Sequence, residues 1–167
     1  MDETSLRRVY SCFPSGVVAI CAAISGRFFG MTLSTFIPVS LDPPLVAVSV
    51  RKESTTWPAL KSARRLGVAI LAAGHELAAR QLSSSAENRF QGVDMTVDED
   101  GAAWISDVPT ALTCSVESEI DAGDHVIVLL CVNRVVRHSQ CDPLVFHDRN
   151  IRPLGGAGPA DLVLASR

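Results

Sequence analysis

The sequence predicts one mainly β domain, an antiparallel β-barrel with two or three short α-helices in its connections. Three observations carry this expectation. Short apolar runs rich in β-branched residues recur along the chain, separated by turn residues. Ser25-Gly26-Arg27 joins two of these runs as a tight hairpin, which argues against a parallel βαβ sheet. Helical periodicity is confined to short stretches between the runs.

Taken in order, Leu6, Val9, Tyr10 and Phe13 recur at helical spacing. Residues 4–13 are therefore expected as an amphipathic helix lying against the core, stopped by Phe13-Pro14-Ser15-Gly16. Strands are expected at 17–24 and 28–36, forming the hairpin, and at 45–50. A short helix near 56–63 tolerates Pro58 in its first turn. Residues 66–72 read as a strand, and 75–82 as a helix with Leu77, Ala78 and Leu82 on one face, ended by Ser83-Ser84-Ser85.

From 84 to 109 the pattern weakens. Asp98-Glu99-Asp100-Gly101 is an exposed acidic turn, followed by a short strand at 102–105. Along 112–120, Leu112, Cys114, Val116, Ser118 and Ile120 alternate with Thr113, Ser115, Glu117 and Glu119, predicting a strand with one buried face. After Asp121-Ala122-Gly123, the unbroken apolar run 126–132 predicts a central strand covered on both faces, continuing through Val135 and Val136. A last strand is expected at 143–146. Residues 1–154 make the domain and 155–167 a tail.

Composition narrows the function. The chain of 167 residues is 47% hydrophobic and 20% charged, enough for one domain with a proper core. A net charge of −3 with no strongly basic stretch excludes nucleic acid as the expected partner. No apolar run approaches the ~18 residues of a membrane span. Arg7-Arg8 before 17–24 loosely imitates a secretion signal, but Asp2, Glu3 and Pro14-Ser15-Gly16 spoil it, so a cytoplasmic protein is expected. Five scattered cysteines suggest reduced thiols. No CxxC or paired His spacing occurs, so no metal is implied. His75-Glu76 fails as a zinc motif because Ala79 holds the second ligand position. Gly156-Ala157-Gly158 fails as a dinucleotide fingerprint because Asp161 stands where Gly or Ala belongs.

Two places carry chemistry. In residues 30–56, Thr32, Ser34, Thr35, Ser40 and Asp42 offer hydrogen-bonding groups around Pro43-Pro44, and Arg51, Lys52, Ser54, Thr55 and Thr56 follow a buried strand. Positive charge with hydroxyls at a strand end suits a phosphate. The bland alternative is a hydroxyl-rich loop of an ordinary β protein. Gly123-Asp124-His125 is a turn that delivers an imidazole to the start of a buried strand. Its alternative is a turn histidine without a role.

These segments resemble a known family. GMTLSTF from Gly30, VSLDPPLVAVSV from Val39, AGDHVIV from Ala122 and PLVFH from Pro143 appear in the order found in the flavin reductase family. The resemblance runs from about Phe13 to Leu154 and implies an FMN-binding split barrel. It further implies an NAD(P)H:flavin oxidoreductase, using NADH or NADPH to reduce FMN or FAD for a partner flavin-dependent monooxygenase. A homodimer with flavin near the subunit boundary is implied too. By the same resemblance, His125 orients the nicotinamide, and Thr32, Ser34 and Thr35 line the flavin ring and ribityl chain. Ser40, Leu41 and Asp42 meet the polar edge of the ring, and Ser49, Lys52, Ser54 and Thr55 hold the phosphate. Phe90 falls near the flavin, although it reads equally as core, and Lys52 reads equally as a solvated lysine. Ile151 stands where the family usually has a tyrosine. That departure keeps open a flavin-binding barrel without reductase activity, or an oxidase acting directly on an organic substrate.

Overall fold

The computed structural model describes residues 2–84, 88–137 and 141–155. The expected tail beyond Gly155 lies outside the described residues. Helix α1 (Glu3–Tyr10) begins at Asp2, whose carboxylate accepts the Ser5 N–H at 3.0 Å. Strand β1 (Ser15–Gly16) leads into β2 (Val18–Ile24), which turns through Ser25-Gly26 into β3 (Arg27–Leu33). A strand the sequence did not announce, β4 (Ile37–Leu41), pairs with β5 (Pro44–Arg51) around a cis Asp42–Pro43 bond. Helix α2 (Trp57–Ser62), strand β6 (Leu66–Ile70) and helix α3 (Glu76–Leu82) follow as expected. Strands β7 (Met95–Val97) and β8 (Ala102–Ile105) precede the long pair β9 (Thr110–Ala122) and β10 (His125–Arg137). The chain closes with β11 (Leu144–His147) and β12 (Asn150–Pro153).

Every strand pairing among the described residues is antiparallel, so the expected mainly β antiparallel class holds. The larger sheet runs β4-β5-β10-β9-β6-β2-β8-β7, with β3 on β2, and the smaller runs β1-β11-β12. β2 is the axis. Val18, Ile20 and Ala22 face one hydrophobic cluster with Val48, Leu60, Leu66 and Val128, while Ala19 and Cys21 face another with Leu71, Leu82 and Val108. An apolar run without alternation is therefore covered on both faces. Burial raises the Cys21 and Cys114 thiols to about 12, which leaves them as unreactive packing groups.

β8 approaches the β2–β6 pair closely. A Cβ built on Gly67 of β6 would lie 2.1 Å from the Ala103 carbonyl oxygen and 2.7 Å from its carbon. Glycine is required there for close backbone approach.

Three packing expectations are corrected. α1 buries no residue: Val9 and Tyr10 are 65% and 68% exposed, and Phe13 beyond its end is 76% exposed, because the helix borders a groove instead of lying on the core. β9 does not alternate. Its first half, paired with β6, is buried on both faces, and its second half, beyond the β6 pairing, is exposed, Ile120 included. β10 is not covered on both faces, since Ile127 and Val135 are exposed.

Candidate active site

Strand ends build the site. β3 runs out at Leu33, and Ser34 and Thr35 carry the chain across to β4. β5 ends at Arg51, which pairs in register with His125, the first residue of β10. The turn before β10 has Gly123 at φ 68°, with Ala122 paired to His125. Glycine at the first central position is what a two-residue hairpin turn of this hand needs. The Gly-Asp pair thereby fixes where the imidazole emerges. These ends and the last turn of α3 enclose a cavity of about 570 Å³, whose wall includes Thr32, Ser34, Thr35, Ser49, Ser54, Thr55 and His125.

The hydroxyls divide into two kinds. Thr35 Oγ1 accepts the Ser49 N–H at 2.9 Å and donates to the Ser49 carbonyl at 3.2 Å, so it clips the β3–β4 crossing onto β5. Thr32 Oγ1 donates to the Ala79 carbonyl at 2.9 Å and ties β3 to α3. Ser54 Oγ accepts the Trp57 N–H at 3.1 Å and keeps its own proton for donation. Among the described residues, the Ser34, Ser49 and Thr55 hydroxyls have no protein partner and remain for a ligand.

Arg51, Arg89 and Glu53 bring two cations and one carboxylate to the wall. Arg89 Nη1 donates to the Gly30 carbonyl and to Thr56 Oγ1, each at 3.0 Å, which holds the guanidinium beside the hydroxyl turn. Planar guanidinium groups and hydroxyls of this kind match phosphate oxygens. His125 Nδ1 lies 2.8 Å from Asp124 Oδ1. That bond holds the Asp124 carboxyl below the usual carboxylate range. When Nδ1 donates to this carboxylate, Nε2 is the ring nitrogen left for a ligand.

Five expected site residues lie outside the cavity wall. Lys52 lies in the turn after β5 and is ion-paired with Asp121 at 2.8 Å, while Arg51, the last residue of the strand, lines the cavity. Ser40, Leu41 and Asp42 sit at the far end of the β4–β5 hairpin, with Leu41 96% exposed. Phe90 packs in the core against Phe28, ring centroids 5.6 Å apart, and its neighbour Arg89 takes the wall position. The sequence reading missed Glu53, Ser83, Ser84 and Arg89. Ser83 and Ser84 carried only a helix-stop signal, and Arg89 lies in a stretch with no periodicity to set its phase. Ile151 lines a side cavity of about 140 Å³ that shares Thr32, Leu33, Ser34 and Ser83 with the main one. Among the described residues, no group of three or more His, Cys, Asp or Glu side chains gathers to hold a metal. No helix among them is long and apolar enough to cross a membrane.

Comparison with known proteins agrees with this geometry. The flavin reductase like domain model matches residues 10–155. A flavin reductase of Pseudomonas putida is 31% identical over 148 residues, covering 88% of this chain and 87% of that protein. A probable flavin reductase of Rhizobium meliloti is 34% identical over 129 residues; the match covers 77% of this chain and 42% of the longer relative. The solved NADH:FAD oxidoreductase of Streptomyces globisporus, in complex with NAD and FAD fragments, superposes with a TM-score of 0.87 at 33% identity, covering 96% of each chain. A domain match over nearly the whole chain, with the hydroxyl-lined cavity and the Gly-Asp-His turn in place, means that this chain belongs to the flavin reductase like domain family.

Proposed function

We propose that this protein is an NAD(P)H-dependent flavin reductase that supplies reduced FMN or FAD to a partner monooxygenase. The observation that carries this reading is the register pair His125–Arg51 on the wall of a cavity to which Ser34, Ser49 and Thr55 bring hydroxyls without a partner among the described residues. The cavity volume and donor set fit a flavin mononucleotide unit. Relatives include a reductase named for FAD, one named for FMN, and the reductase component of a two-component tryptophan halogenase.

The chemistry supplied by the bound nucleotides is hydride transfer from nicotinamide C4 to flavin N5. The protein's work is to position and to shield. Ser34 and Ser49 meet the ring and ribityl chain, while Arg51, Arg89, Ser54 and Thr55 hold the phosphate. His125 accepts a hydrogen bond from the nicotinamide carboxamide at Nε2, and Asp124 keeps the ring in that tautomer. No side chain needs to act as nucleophile, because two stacked rings at near-attack distance complete the reaction. Ser40, Leu41 and Asp42 lie outside this cavity, and we assign them no contact with the flavin bound there.

Flavin behaves as a substrate in this account. Anaerobic NADH added to a large excess of flavin over protein is expected to bleach all the flavin. Bleaching limited to one equivalent per chain would instead mark a tightly held prosthetic group and contradict release to a partner.

The reading includes a cytoplasmic homodimer. Ile120 and Ile127 are direct cross-strand partners, 49% and 37% exposed on the β9–β10 hairpin. Ile37, Val39 and Leu41 of the β4 edge are exposed as well. Apolar patches of this kind mark association surfaces. Sedimentation is expected at twice the 17.8 kDa chain mass, and I120E with I127E is expected to shift it to the monomer. A wild-type monomer at micromolar concentration would remove the dimer.

A further inference from the structure

Glu53 stands among the phosphate-holding groups of the main cavity with a charge that opposes theirs. Its companions on the wall include Arg51, Arg89, Ser54 and Thr55, and it is the only carboxylate there among the described residues. It is exposed and has no hydrogen bond or ion pair among the described residues. It lies in the turn after β5, where it neither caps α2 nor pairs across a strand. The fold therefore asks nothing of its charge.

The cations beside it are tempered in the same direction. Arg51 Nη2 lies 3.9 Å from Glu3 Oε1 of α1. The Asp124 carboxyl, held low chiefly by its bond to His125, is lowered further by Arg51, so a second carboxylate shares that guanidinium's field. Lys52 is drawn to Asp121 at 2.8 Å and off the wall. Arg89 commits Nη1 to the Gly30 carbonyl and Thr56 Oγ1. A site built to retain a phosphate would turn its cations to the ligand and keep acids away, because a like charge nearby weakens the hold on an anion.

We propose that Glu53 sets how weakly the cavity holds the flavin phosphate, so that reduced flavin leaves after each turnover. This deepens the flavin reductase reading and rests on it. The phosphate of FMN meets two guanidiniums and one opposing carboxylate. Riboflavin has no phosphate and does not feel the opposition. Glu53 is thereby a specificity-determining residue: it narrows the advantage of FMN over riboflavin and speeds the release of FMN. It takes no part in hydride transfer.

The test is fluorescence titration of wild type, E53Q, E53D and E99Q with oxidised FMN and riboflavin, at low and high salt, with stopped-flow displacement for the release rate. Glu99 is an exposed carboxylate in the turn between β7 and β8, toward the opposite end of the sheet order from β5. E99Q therefore makes the same change in net charge away from the cavity wall. E53Q is expected to tighten FMN roughly fivefold, the upper worth of one exposed charge interaction, and to leave riboflavin within about twofold. The gain is expected mostly as slower release. It is expected to fade in about 0.5 M salt, where exposed charges are screened. E53D, which keeps the charge, is expected to stay within about twofold of wild type, and E99Q to match wild type for both flavins. An FMN-to-riboflavin affinity ratio that E53Q leaves unchanged would overturn the proposal, and so would an equal gain in E99Q. In either case flavin binding by the wild type leaves the reductase reading standing. Wild-type protein that binds neither FMN nor riboflavin would overturn the flavin reading itself.

Discussion

Replacing His125 with alanine is expected to lower kcat for NADH oxidation by about a hundredfold, the usual cost of losing orientation between two reacting groups. The imidazole sits at the cavity wall, opposite Arg51 in register and held through Nδ1 by Asp124. Its removal frees the nicotinamide to rotate away from the flavin. Flavin affinity is expected to stay nearly unchanged, because the hydroxyl turn and Arg89 remain. The fold is expected to survive, because the Asp124–His125 pair is exposed and exposed pairs contribute little. Asp124→Asn is expected to fall between wild type and His125→Ala, since it keeps the imidazole and disturbs its tautomer. Steady-state kinetics with flavin and NADH varied separately will show the effect in kcat and in the NADH KM. A His125→Ala enzyme within threefold of wild type would remove the histidine from the reaction.

Gly67→Ala is expected to destabilise the protein by about 3 kcal/mol, at the upper end of the cost of overpacking a well-filled interior. The new methyl would stand 2.1 Å from the Ala103 carbonyl oxygen. That atom is backbone, in β8, whose Ala103 is itself paired with Cys21 of β2. Neither strand can give way without breaking its ladder. Thermal unfolding is expected roughly 6–12 °C lower, a large share of the stability of a domain of this size. Gly16→Ala serves as the control, since no atom lies within 4 Å of its built Cβ. An unchanged melting temperature for Gly67→Ala would show that β8 does not cross β6 so closely.

The reason some of this was legible in the sequence is local. The run through Val18 to Ala22 is apolar at every position, and a strand with two buried faces has to look like that. Gly123-Asp124-His125 was legible because a two-residue turn with glycine first has a fixed geometry. β4 was hidden by Pro38 and the Pro43-Pro44 pair. It lies at the edge of the sheet, where a proline costs no ladder bond that the fold needs. The alternation in β9 was genuine in chemistry and misleading in burial. Residue type reports a face, and it does not report that Glu117 to Asp121 lie beyond the β6 pairing and are exposed.

The site was legible where it follows a strand and obscure where it does not. Ser49, Ser54 and Thr55 came from the end of β5, and they reach the cavity. Lys52 follows the last residue of β5, and its ion pair with Asp121 of β9, a contact between distant segments, holds it away from the cavity wall. Arg89 comes from an irregular segment, and its place depends on contacts with Gly30 and Thr56, 59 and 33 residues away. No local pattern encodes contacts of that range.

The measurement that bears most directly on the account is absorbance at 340 nm, followed with purified protein, NADH or NADPH, and FMN, FAD or riboflavin added in turn. The account predicts rapid loss of the reduced nicotinamide that requires both protein and added flavin and saturates in each. Loss no faster than the protein-free control, in every combination, would contradict it.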